Sequence, residues 1–379
     1  MFTIKQKNIL TDILMGFPRG INYHFHTVTS TGMKPAFIEL MITSKCNARC
    51  LMCNIWQTQY DNDITLKNIE NVLSSSLFAD VRWVTITGGE SFLRRDLVQI
   101  IELINRKLIK VQEILIATNG FMTNIIISQT KNILDILKKD IRLRIGVSFD
   151  GIGEEHEKVR NLKGIHKCAL ETVKGLQKLQ DARLYLQAHV AIGPYNVNQL
   201  TEMYDYYSPL IGKINWFPVM ITNNYFNNQD SASTLALNQK EKKSLKSFLG
   251  TIVSQEPPSP SSYYYSKLSS FLDTNRRDFP CTGGYRFIQI DSQGNVHPCP
   301  VVPREFSFGN IKDKPIEEIW LSRESNAVRK KLRASGICER CPNHCDIFSV
   351  VREEFFDFMT FLAGHPNILK KMMGRYFHQ

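Results

Sequence analysis

The chain has 379 residues, 43% of them hydrophobic and 22% charged, enough to bury a large core and ordinary for a globular protein carrying an appendage. No apolar run reaches the ~20 residues of a membrane-spanning helix, and Met1-Phe-Thr-Ile-Lys-Gln-Lys lacks a secretory h-region, so neither a transmembrane segment nor secretion is expected. The net charge of +11 admits acidic substrates, nucleic acid or an anionic surface, yet no basic block points to nucleic acid, and the nine cysteines suit metal ligands or reactive thiols in a reducing, cytoplasmic compartment.

Residues 1–36 form an N-terminal arm, with an apolar-periodic segment (Ile9, Leu10, Ile13, Leu14) ended by Gly16-Phe-Pro-Arg-Gly20 and read as a helix packed on the core. From Phe37 onward strand and helix patterns alternate. Strands are predicted at Phe37–Thr43, Arg82–Thr87, Glu113–Thr118, Leu143–Phe149, Leu184–Ile192 and Lys213–Val219, with helices around 65–77, 94–108, 125–138, 163–179 and 197–208. Such alternation implies βα units and a parallel sheet.

Side chains alternate across a strand. Leu143, Ile145, Val147 and Phe149 therefore share a face suited to helices, and Arg144, Gly146, Ser148 and Asp150 share the other. Gln187 and His189 alternate in the same way with Leu184, Leu186, Ala188, Val190 and Ile192. A packed barrel interior is filled by branched apolar residues. A polar inner face instead predicts a lumen open to ligand.

Directly after the first strand comes Cys46-Asn-Ala-Arg-Cys50-Leu-Met-Cys53. A cubane 4Fe–4S cluster held by cysteine alone takes one thiolate per iron, so three leave one iron for an outside ligand. A structural zinc site usually completes a tetrahedron with a second Cys or His pair. The second strand ends in Thr87-Gly88-Gly89-Glu90, the third in Thr118-Asn119-Gly120, the fourth in Ser148-Phe149-Asp150-Gly151, followed by Arg160.

The CxxxCxxC spacing together with Gly-Gly-Glu resembles the radical S-adenosylmethionine (AdoMet) enzymes. The resemblance implies a partial (β/α)6 barrel, of the α/β class, over residues 37–222. It implies that Cys46, Cys50 and Cys53 ligate a 4Fe–4S cluster whose open iron chelates AdoMet, and that one electron releases a 5′-deoxyadenosyl radical. Gly88, Gly89 and Glu90 match the motif that contacts the AdoMet amino group, and Asn119 matches a turn beside it. Ser148 matches a position that bonds the ribose or methionine portion, and Arg160 an arginine that pairs with the AdoMet carboxylate. Met52 stands where related enzymes often carry an aromatic near the adenine. Asn196 resembles a family loop residue or caps the next helix.

Residues 223–280 change composition (Asn223-Asn-Tyr-Phe-Asn-Asn228, then Pro257-Pro-Ser-Pro-Ser-Ser262) around a helix at 238–254 and read as a connector, with low-complexity linker the commoner reading of such composition. In 281–345 lie Cys281, Cys299, Cys338, Cys341 and Cys345, with a hairpin turning near Gly294. The arrangement resembles the SPASM extension of radical AdoMet enzymes, or its shorter "twitch" form, which binds auxiliary 4Fe–4S clusters. Five cysteines suffice for one four-cysteine cluster, assigned to Cys281, Cys299, Cys338 and Cys341, with Cys345 as alternative ligand or free thiol; a zinc ribbon is the rival reading. Cys168, inside a helical pattern, reads as a small buried hydrophobe. The tail, 346–379, holds Phe348, Phe355, Phe356, Phe358 and Phe361 and ends with Lys370, Lys371 and Arg375; helical packing across the barrel is expected.

The resemblance thus implies hydrogen-atom abstraction from a peptide or small-metabolite substrate, with an auxiliary 4Fe–4S cluster assisting an oxidation. It also implies a reducing protein such as flavodoxin or ferredoxin as partner. No peptide-leader-binding module is legible, which weighs against peptide maturation. The rivals are a tRNA-modifying enzyme of the same superfamily and a non-catalytic iron–sulfur carrier.

Overall fold

The computed structural model describes residues 16–364 except 59–61, 258, 346 and 354. The segment Ile9–Leu14 and the basic residues Lys370, Lys371 and Arg375 lie outside the described residues. The Gly16-Phe-Pro-Arg-Gly20 stretch, expected to end a helix, is itself helical: among the described residues α1 spans Gly16–Thr29.

Six βα-type units follow. In order they are β1 (Phe37–Thr43), α2 (Leu66–Leu73), β2 (Trp83–Gly88), α3 (Leu97–Lys107), β3 (Glu113–Thr118), α4 (Thr123–Ile136) and β4 (Arg142–Ser148). Then come α5 (Glu154–Arg160), α6 (Ile165–Gln177), β5 (Leu184–Ile192), α7 (Leu200–Ile211) and β6 (Ile214–Pro218). Neighbouring strands β1 to β6 pair in parallel in chain order. The alternation predicted from the sequence is realised residue by residue: Ile38, Val84, Ile116, Ile145 and Val190 are fully or almost fully buried against the helix layer. Helix α3 answers with Leu97, Ile100, Ile101 and Ile104, all buried, and each such side chain contributes about 1.5–3 kcal/mol.

The connector region is no free linker. After the short α8 (Ala232–Leu235), α9 (Gln239–Gln255) and α10 (Pro260–Thr274) each begin with a capping box, at Asn238 and Ser259. The Pro- and Ser-rich stretch that reads as low complexity is thus the cap and first turn of α10, with Pro260 at its first position. Tyr265 of α10 accepts a hydrogen bond from the backbone N–H of Trp216 in β6, at 3.0 Å. That contact covers part of the sheet's β6 edge.

The hairpin around Gly294 is present as β7 (Phe287–Ile290) and β8 (Asn295–His297), and β8 pairs with β9 (Gly309–Asn310). Less expected, β7 lies parallel to β1, so the C-terminal region extends the barrel sheet, in the order β6-β5-β4-β3-β2-β1-β7-β8-β9. Helices α11 (Ile316–Trp320), α12 (Arg323–Ala334), α13 (Ile347–Glu353) and α14 (Phe355–Ala363) complete the described chain. The expected packing of the tail across the barrel is seen at Phe348 of α13, which stacks on Trp83 with ring centroids 5.9 Å apart.

Candidate functional site

The inner faces of the strands enclose a cavity of about 310 Å³. Ser148, Gln187 and His189 line it, as their strand parity requires. Arg144 donates to Glu113 at 2.6 Å and to Gln187 at 3.0 Å, on the two neighbouring strands. Burial pushes His189 and His344, both on this wall, down to about 3. Both imidazoles are therefore neutral at physiological pH.

Cys46, Cys50 and Cys53 stand at the C-terminal end of β1 and all face this cavity. The loop that carries them is held from two sides. On one, Gly89 N donates to Thr43 O (2.8 Å) and Glu90 N to Lys45 O (2.9 Å). A Cβ on Gly88 would stand 2.2 Å from Thr43 O, and one on Gly89 2.1 Å from Lys45 O. The close approach these glycines allow in this structure is thus to the cysteine loop's own backbone. On the other side, Arg49 N and Leu51 N donate to the carbonyls of Arg160 and Val159.

Glu90 is buried and locked. Its carboxylate accepts from Phe92 N, Thr118 Oγ1 (2.9 Å) and Asn119 N (2.7 Å), tying the ends of β2 and β3 together. Asn119 in turn donates to Asn47 Oδ1, inside the cysteine loop, at 2.7 Å. Arg160 reaches Cys50 Sγ at 3.6 Å and pairs with the fully buried Asp150 at 2.5 Å. Asp150 also accepts from Ala191 N at 2.9 Å, while Asn196 donates to the Asp150 and Ala191 carbonyls. Asn196 therefore braces Asp150; the N-cap of the next helix is Gln199. Asp150 is a site residue the sequence reading left unassigned, although its place two residues past β4 was the signal.

The connector supplies a wall. Asn228, fully buried, donates to Met52 O at 2.7 Å and to Met220 O at 2.9 Å. Tyr225 bonds Thr87 Oγ1 and accepts from Gly88 N at 3.3 Å. Tyr225 and Phe226 both line the cavity beside Met52, so aromatic rings reach the site from a segment the motif does not include. Trp56 donates to Cys53 O at 3.0 Å.

The residues fit a cluster and a charged ligand. None of the nine cysteines is in a disulfide. Burial raises the thiols of Cys46, to about 11, and of Cys50 and Cys53; iron would offset that penalty, because its positive charge stabilises the thiolate. Arg160 Nε is buried with no hydrogen-bond partner, a donor left over for an anionic group.

The second cysteine set gathers at the other end of β1. Cys299 packs with Phe37, Phe287 and Leu332, and Cys338 and Cys345 lie against the same cluster. Cys299 and Cys345 share a side-chain hydrogen bond. Cys345 is the member of this set that also lines the main cavity. Cys168 sits in α6 away from both sets and is half-buried, more open than the buried hydrophobe expected. Among the described residues no three His, Cys, Asp or Glu side chains converge on a single-ion site; a cubane takes one thiolate at each corner, and its ligands need not converge on a point.

Comparison with known proteins agrees with this geometry. Residues 40–206 match the model of the radical SAM superfamily, and residues 281–342 match SPASM, an iron–sulfur cluster-binding domain. The chain is 23% identical over 334 residues to the antilisterial bacteriocin subtilosin biosynthesis protein AlbA of Bacillus subtilis, covering 84% of this chain and 67% of AlbA. It is 23% identical over 342 residues to the Fe-coproporphyrin III synthase of Methanosarcina barkeri, covering 82% of each. Streptococcus suis SuiB, solved with S-adenosylmethionine, superposes with a TM-score of 0.58 at 13% identity over 92% of this chain and 80% of SuiB, a likeness of fold. The chain carries a radical SAM domain over residues 40–206, a domain that uses AdoMet and a 4Fe–4S cluster, and Cys281, Cys299, Cys338 and Cys341 fall within its SPASM-type iron–sulfur cluster-binding domain.

Proposed function

We propose that this enzyme removes a hydrogen atom from a peptide side chain, and that a cluster held by the second cysteine set would accept the electron released as the substrate radical loses a proton to become product. The observation that carries the reading is the single cavity that touches both the Cys46, Cys50, Cys53 triad and Cys345 of the second set. A substrate held there lies between the two cysteine sets. When bound, AdoMet and the triad's cluster supply the radical that starts the reaction. The chain's own work is to bind, orient and exclude water.

Within that reading Cys46, Cys50 and Cys53 hold the first cluster, and Cys281, Cys299, Cys338 and Cys341 hold the auxiliary one. Gly88, Gly89 and Glu90 shape the AdoMet amino site beside Asn119, while Ser148 contacts its ribose or methionine portion. Arg160 offers its unpartnered Nε to the AdoMet carboxylate while its Nη2 is paired with Asp150. The peptide class is supported by the likeness to AlbA over most of this chain. The similar likeness to the Fe-coproporphyrin III synthase supports a small-metabolite reading in second place. A flavodoxin- or ferredoxin-like protein would supply the reducing electron. Among the described residues no helix is long and apolar enough to cross a membrane.

The test is anaerobic reconstitution followed by reduction with AdoMet present. Formation of 5′-deoxyadenosine is expected, and a mere iron–sulfur carrier forms none. If the reconstituted protein binds iron but leaves AdoMet intact, the reading fails.

A further inference from the structure

Arg277 stands four residues before Cys281, and no motif draws attention to it. Its guanidinium donates to four backbone carbonyls. Nε reaches Phe279 O at 2.8 Å and Nη2 reaches Pro280 O at 2.7 Å, both in the segment that delivers Cys281. Nη1 reaches Cys341 O at 3.2 Å and Asn343 O at 2.7 Å, both in the segment that carries Cys338, Cys341 and Cys345. The backbone joins in, with Arg277 N donating to Glu339 O at 2.7 Å. The guanidinium also lies over the Phe279 ring, 3.7 Å from its centroid. Two cysteine segments some sixty residues apart in the chain are thus fastened to one side chain.

All four hydrogen bonds of that guanidinium go to neutral carbonyls, and among the described residues no carboxylate pairs with it. Burial disfavours the charge, and the neighbouring Cys281, Cys341 and Cys345 favour it, leaving its proton affinity raised. A buried positive charge beside a cluster stabilises the reduced, more negative form over the oxidised one, because Coulomb interactions are strong where water is excluded.

We infer that Arg277 is a positioning residue that both assembles the auxiliary cysteine site and holds that site's reduction potential up, making it an electron acceptor. The inference rests on the reading of the second cysteine set as an auxiliary cluster site. It concerns the chain's own residue: the fork joins the segments whether or not iron is bound, and the charge acts once it is.

The experiment uses the full chain with Cys46, Cys50 and Cys53 all replaced by Ala, so that any remaining cluster is the auxiliary one. Iron content, an EPR-monitored redox titration, and thermal unfolding of the iron-free protein are measured for this background and for added Arg277→Met and Arg277→Lys. Arg277→Met is expected to lower the melting temperature of the iron-free protein, reduce iron retained, and shift the midpoint of the remaining cluster to more negative potential. Arg277→Lys keeps the charge but not the fork, so it is expected to lower the melting temperature while leaving the midpoint near that of the background. An Arg277→Met protein with unchanged midpoint overturns the inference. If Arg277→Met does not fold, the lysine variant decides, and a midpoint displaced to negative values there overturns the inference. A background that binds no iron at all overturns instead the auxiliary-site reading beneath it.

Discussion

The two cysteine sets occupy opposite ends of β1 and are built in opposite ways. Cys46, Cys50 and Cys53 sit within one eight-residue loop, braced by backbone hydrogen bonds to Gly89, Glu90, Val159 and Arg160. Cys281, Cys299, Cys338, Cys341 and Cys345 come from segments far apart in the chain, brought together by β7 pairing with β1 and by the Arg277 fork. A local loop can keep its ligand spacing through small movements of the barrel. A site assembled from remote segments depends on each tertiary contact, so the two regions should respond differently to the same kinds of change.

The sharpest contrast is functional. Cys50→Ala is expected to abolish 5′-deoxyadenosine formation, whereas Cys341→Ala leaves cleavage running, uncoupled from product; cleavage that survives the first change refutes the assignment of the triad. Next comes Asp150→Asn, which strips the fully buried partner from Arg160. Breaking a buried pair costs about 3–5 kcal/mol, and the measure is chemical denaturation, with the triad's iron content expected to fall alongside. Asn228→Ala should cost less, about 1–3 kcal/mol, since it leaves the Met52 and Met220 carbonyls without their donor. A denaturation midpoint unmoved by this change would show that the connector is not part of the triad's support.

Between the two regions lies Glu39, on the inner face of β1, which accepts from Gln289 at 2.9 Å and lines the cavity. Burial raises its carboxyl from 4.5 to about 7. A carboxyl raised on folding contributes stability that is full below pH 4.5 and lost as pH climbs through about 7. Glu39→Gln should therefore flatten the fall in melting temperature between acid and neutral pH, and an unaltered pH profile would count against a buried, protonated Glu39. The smallest effect is expected at Cys168, half-buried on α6. Cys168→Ala should leave iron content and AdoMet cleavage unchanged and alter stability by no more than about 0.5 kcal/mol.

Much of the site was legible before any fold was known. Cys46 to Cys53, Gly88, Gly89, Glu90 and Ser148 fall at strand ends that strand periodicity alone locates, and Gln187 and His189 reach the lumen by parity. What escaped was of another kind. Tyr225 and Asn228 lie in a polar, asparagine-rich stretch whose composition resembles a linker, yet both are buried against the cysteine loop. Asp150 lacked a motif of its own, and Arg277 is one arginine among many until its four acceptors are known.

The primary sequence alone determined the order of strands and helices, the face each strand turns inward, and the spacing of the first cysteine set, because these depend on neighbours within a few residues. The tertiary structure decided that β7 joins the barrel sheet beside β1, that the connector walls the cavity, and that Cys345 reaches the same lumen as Cys50. Those outcomes depend on contacts between segments tens to hundreds of residues apart, and such contacts leave no periodic trace in the chain.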